Sequence, residues 1–234
     1  MKPSLGINQI PVLLRGDPDS ISKWIQRWDI SQILLYVTVI VLGTGLYGAA
    51  MGFWRDPLQA LYAAIKFPLI VLLTALGNAL LNGMLAPLLG LNIGFRQSLV
   101  AVLMSFTIAA IILGSFSPVM LFLVLNAPPI SQHELSGSTH SFILLSQVAV
   151  IAFAGVVANL RLAQLLERMS GSKLIARRIL FAWLAGNLFL GSQLSWILRP
   201  IIGTPSLQIE FLRSDAFHGS FYETVFRALK NLLS

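Results

Sequence analysis

The chain has 234 residues, of which 56% are hydrophobic and only 11% charged, with a mean hydropathy of +0.79. Soluble domains carry about 25% charged residues, so this much apolar surface excludes a water-facing fold and requires lipid as solvent. The formal charge of +7 does not indicate nucleic acid, because the basic residues sit between apolar segments rather than in a stripe with interleaved aromatics. Cys is absent, which excludes a disulfide framework, a thiolate metal site and a cysteine nucleophile.

The N-terminal segment lacks the apolar core and small-residue cleavage site of a signal peptide, so the first membrane helix is expected to serve as its own insertion signal. Residues 1–30 read as a cytoplasmic arm. Within it, Asp17 as N-cap and Pro18 at the first helical position open a short helix. Ile21, Trp24, Ile25 and Trp28 share one face of it, and Trp24 and Trp28 are candidate interface anchors.

Residues 31–200 carry five apolar stretches, at about Ile33–Phe53, Phe67–Leu89, Leu99–Leu125, Phe142–Leu162 and Ile179–Leu198. Each reaches the ~20 residues that cross ~30 Å of hydrocarbon. The second span is expected to tolerate Pro68 near its start and to end at Pro87. The third is expected to break its backbone ladder at Pro118 near its end, with the freed carbonyls taken by Ser hydroxyls, water or neighbouring helices.

Orientation follows from the basic residues of the connections. Lys2, Arg15, Lys23, Arg27, Arg96, Arg161, Arg168, Lys173, Arg177 and Arg178 share one side, outnumbering Arg55, Lys66, Arg199, Arg213, Arg227 and Lys230 on the other. The rule that positive loops stay inside puts the N-terminus in the cytoplasm and the C-terminus outside. Residues 201–234 form a tail, in which Ser220 and Glu223 make an S-x-x-E capping box for a terminal amphipathic helix. The fold expected is an all-α polytopic membrane bundle of about five helices, with amphipathic helices at both ends.

Gly48 and Gly52 form a G-x-x-x-G pair extended by Gly45, a spacing that lets helix backbones approach closely and serves packing within one chain more often than a homodimer seam. Asn78, Asn82, Asn187 and Gln193 form the candidate polar intramembrane face. Buried amides require partners where water is absent, so they serve either as interhelical ties or as a polar path. No Asp or Glu falls inside any apolar stretch, which weighs against ion-coupled transport. Trp196 and Arg199, where the fifth span meets headgroups, are candidate lipid anchors.

No catalytic constellation emerges. His133, Glu134 and His140 lack the H-E-x-x-H spacing of a zinc protease, and Ser136-Gly137-Ser138 between them is expected to interrupt a helix. Nucleophile elbows, paired intramembrane carboxylates and phosphate-binding glycine loops are missing from the sequence. No metal and no cofactor is expected.

Gly191-Ser192-Gln193-Leu194-Ser195-Trp196-Ile197-Leu198-Arg199-Pro200, with Gly203-x-Pro205, Phe211-Leu212-Arg213, Phe221-Tyr222-Glu223, Leu46-Tyr47-Gly48 and Lys66-Phe67-Pro68-Leu69, resembles a group of bacterial polytopic membrane proteins of unassigned role. Some of that group carry an automatic actin-binding label, whereas the apolar residues here belong to spans. Five spans after a cytoplasmic arm are also distantly similar in architecture to the Yip family of trafficking proteins. The resemblance implies a bacterial cytoplasmic membrane and supplies no catalytic residue. The expectation is a non-enzymatic scaffold or accessory subunit with lipid and protein partners. The alternatives are a transporter or channel for a neutral or lipid-like solute, and a membrane hydrolase using His133, Glu134 or His140.

Overall fold

A computed structural model describes residues 11–12, 29–128, 133–203 and 208–223, with the side chains of 133–138 and of 140 outside that description. Among the described residues the fold is built on five long helices: α1 (Ile30–Gly52), α2 (Pro57–Leu88), α3 (Phe95–Leu125), α4 (His133–Ser170) and α5 (Lys173–Ile197). All five contain a stretch long and apolar enough to cross a membrane. The amphipathic helix expected around Trp24 and Trp28, and the part of the expected terminal helix beyond Glu223, fall on residues outside that description.

The helices outrun the apolar stretches that announce them. α2 has 32 residues, α3 has 31 and α4 has 38, where about 20 suffice to span hydrocarbon. Helix propensity carries each on through its flanking charged turns. The connections shrink accordingly. Arg161 and Arg168 are on α4, and Arg177 and Arg178 on α5, so the richest basic cluster lies on two helix ends joined by residues 171–172 rather than in a loop.

Two expectations are corrected by this lengthening, those for Pro68 and for residues 136–138. Pro68 is not near the start of its helix: α2 begins at Asp56-Pro57, where the Asp56 carboxylate accepts from the Leu58 amide at 2.7 Å, and Pro68 is interior. Pro118 removes one bond from the α3 ladder, as expected, and the helix continues past it to Leu125. Ser115 and Ser117 donate to the carbonyls of Ile111 and Leu113, both just ahead of the Gly114 carbonyl that the proline strips of its donor. Ser136-Gly137-Ser138 does not interrupt a helix, because α4 starts at His133 and runs through it. His133 and His140 remain two turns apart, about 10 Å of helix rise. The end of α2 falls at Pro87-Leu88 as expected. There Gly90, at φ +96°, lets Leu91 and Gly90 donate back to Ala86 and Pro87, closing the last turn.

α2, α3, α4 and α5 close a ring of neighbours, and α1 lies across the α2–α3 face. Close approach of α1 depends on glycine. A Cβ at Gly48 would stand 2.6 Å from the Ala63 carbonyl oxygen, and one at Gly52 would stand 2.6 Å from that of Gln59. On the α3 side Gly43 meets Ala110 and Gly114. The small-residue face is therefore spent on intramolecular packing.

The core sits where these contacts converge: Tyr36, Ile40, Met104, Leu162 and Trp183 in one half, Tyr47, Met51, Leu113 and Met120 in the other. The outer faces are apolar as well. Leu46, Leu145, Leu188 and Phe181 are 60–76% exposed, the pattern of a bundle whose surroundings are hydrocarbon.

Candidate functional site

Among the described residues, polar chemistry inside the bundle concentrates on one helix. α2 buries Gln59, Lys66, Thr74, Asn78 and Asn82, a row that follows the helix over about 34 Å at ~1.5 Å per residue. α5 and the chain beyond it cover this row.

Lys66 was expected in a loop. It is instead ten positions into α2, with no solvent exposure at all. A cation at that depth is costly unless its donors are engaged. The need it meets comes from α5, which ends at Ile197 because Pro200 cannot continue it. The carbonyls past that break have no helical donor, and within a bilayer irregular backbone persists only when protein satisfies it. α2 supplies the donors. Lys66 Nζ donates to the Pro200 carbonyl at 2.7 Å. Gln59 Nε2 donates to Ile201 at 2.6 Å and to Pro200 at 3.2 Å. The ammonium also sits 5.1 Å from the Phe211 ring and 5.9 Å from that of Tyr62, and these rings pack edge to face at 5.3 Å.

Deeper along the row, Asn78 Nδ2 donates to Asn187 Oδ1 at 2.6 Å and to the Trp183 carbonyl at 3.3 Å. Gly186 makes room, for a Cβ there would stand 2.6 Å from Asn78 Oδ1. Of the four candidate amides, the structure thus joins Asn78 and Asn187. Asn82 is fully buried, and neither of its amide atoms has a hydrogen-bond partner among the described residues. Gln193 lies six residues past Asn187, about 120° around α5, and its Oε1 is also without a partner there.

The tail then turns back onto α5. Arg199 stacks on Trp196 with its guanidinium carbon 3.8 Å from the ring centroid, and it donates to Asp215 Oδ2 at 3.0 Å. Both candidate anchors are therefore held in a protein contact. Tyr222 stacks on Phe189 and donates to its carbonyl at 2.8 Å. The Ser220 hydroxyl accepts from the Glu223 amide at 3.1 Å, the expected cap of the terminal helix. An open cleft of about 440 Å³ lies here, lined by Trp196, Arg199, Arg213, Asp215, His218, Gly219 and Glu223. A second, nearly all-apolar groove of about 510 Å³ runs between α1 and α3 beside Pro118.

No protein-family model, curated protein or solved structure matches the chain. Function is accordingly read from the geometry alone.

Sequence reasoning missed Lys66, Gln59, Thr74, Trp183 and Arg213. The cap signature Asp56-Pro57 was available and would have placed Lys66 inside a helix. Nothing in the sequence pairs Lys66 with Pro200, which is 134 residues away.

Proposed function

We propose that this chain is a non-enzymatic integral membrane protein acting as a scaffold or accessory subunit of a membrane complex. We place it in a bacterial cytoplasmic membrane with its N-terminus inside. The observation that carries this reading is the use made of the intramembrane polar groups. Lys66, Gln59, Asn78 and Asn187 bond the fifth helix and its non-helical extension to α2. Side chains committed to holding a backbone in place suit a rigid platform better than a solute path. The test is co-purification of the full chain after extraction in mild detergent. A stoichiometric protein partner or a preferred lipid is expected. A lone, monodisperse chain with neither would overturn the proposal.

A second reading, a path for a neutral or lipid-like solute, is favoured by one observation. Thr74 Oγ1, Asn78 Oδ1 and both amide atoms of Asn82 are buried along one row with no hydrogen-bond partner among the described residues. Such atoms call for water or a ligand. Solute flux in proteoliposomes that is lost in Asn82→Leu would support this path, and flux indifferent to that change would remove it.

A further inference from the structure

The cleft at the end of α5 is lined by two arginines, Arg199 and Arg213, and two carboxylates, Asp215 and Glu223. Arg199 and Asp215 neutralise one another. Glu223 is itself held in contacts. Arg213, which lines the same cleft, has no hydrogen bond or ion pair among the described residues. Behind it stands Lys66, close enough for the two like charges to repel. Lys66 can donate three hydrogen bonds, yet its one hydrogen-bond partner among the described residues is the neutral carbonyl of Pro200. Lys66, Arg199 and Arg213 together outnumber the two carboxylates of the cleft by one, and an anion beside the unpaired Arg213 relieves that excess.

The surroundings indicate which anion. Trp196 forms one wall of the cleft, and Leu212 and Phe217 on the adjoining tail are exposed. Apolar surface beside a charged recess matches a molecule with an anionic head and a hydrocarbon body. A guanidinium fork matches phosphate oxygens in pairs.

We propose that this cleft binds a phosphate group, with Arg213 as its direct contact and Lys66 as the buried charge behind it. Lys66 is a positioning residue: it keeps the Pro200 turn and the Phe211 ring in place and adds positive potential at the back of the site. The inference does not rest on the scaffold reading, since a chain with no protein partner could still hold phosphate here.

The experiment uses the full-length protein, delipidated in a neutral detergent. Thermal unfolding and native mass spectrometry follow three additions: phosphatidylglycerol, phosphatidylcholine, and inorganic phosphate at matched ionic strength. A phosphate-bearing addition is expected to raise Tm and, for a lipid, to leave one molecule bound. Arg213→Gln is expected to weaken that binding roughly tenfold, while Arg213→Lys retains part of it. Protection by lipid alone assigns the phosphate to a headgroup, and equal protection by inorganic phosphate assigns it to a free ion. Lys66→Met is expected to weaken binding too. Should that variant fail to fold, Arg213→Gln still decides. The proposal is overturned if Arg213→Gln matches the wild type in every arm, if no addition protects, or if Arg178→Gln at the opposite end of α5 has the same effect.

Discussion

At the scale of single residues, Asn78 and Asn82 separate two ideas about buried amides. They are one turn apart on α2 and equally buried, yet only Asn78 has partners. Removing Asn78 forfeits the bonds its Nδ2 makes, although its Oδ1 has no partner among the described residues, whereas removing the wholly unpartnered Asn82 relieves a desolvation cost. Asn78→Leu is expected to destabilise by about 0.6–2 kcal/mol, and Asn82→Leu to be neutral or stabilising, both measured by unfolding in detergent. A large loss from Asn82→Leu would mean that a water or ligand occupies that position. Glycines make a parallel contrast. Gly48→Val should cost about 1–3 kcal/mol, because its Cβ collides with the Ala63 backbone. Gly155→Ala, with open space around its Cβ, should gain up to about 1 kcal/mol of helix propensity. The polarity of Asn78 was legible in the sequence, but its partner was not. Hydropathy records that a group is polar, while the partner depends on how α2 and α5 cross.

Among the elements, α2 does most to organise the bundle. Its boundaries show what sequence reading captures and what it loses. Long uncharged stretches announce all five helices because lipid tolerates nothing else. The first ten residues of α2 are hidden, because Gln59 and Lys66 lower the local hydropathy although they face protein. A lysine beside an apolar stretch looks like a loop residue unless the cap upstream is noticed. Gln59 and Lys66 together secure residues 200–201. The double variant Gln59→Leu with Lys66→Met should therefore loosen the tail. Tryptic cleavage after Arg213 is expected to quicken about tenfold, the factor that ~1.4 kcal/mol of lost anchoring supplies. An unchanged cleavage rate would show that Tyr222 and Asp215 suffice to hold the segment.

For the molecule as a whole, the two ends differ in how they treat charge. At one end Arg96, Arg168, Lys173, Arg177 and Arg178 are exposed. At the other, Lys66 is buried and Arg199 is paired and stacked. The contrast in available positive charge is greater than residue counting implies, and it favours the Arg177 end as cytoplasmic. Because the chain contains no cysteine, one introduced thiol reports its own side. Phe217→Cys, at a position 76% exposed, should react with a membrane-impermeant maleimide added outside intact cells. Lys173→Cys should react only after permeabilisation. The reverse pattern would invert the topology.

The bond between Lys66 and Pro200 also bears on biogenesis. Ribosomes deliver α2 long before the residues that will accept its ammonium proton, so a nascent or prematurely terminated product carries a charge stranded in hydrocarbon. A charged residue at a helix centre costs about 2.5–3.5 kcal/mol to insert, and the Pro200 carbonyl can offset part of such a cost only after α5 and the chain beyond it have been made.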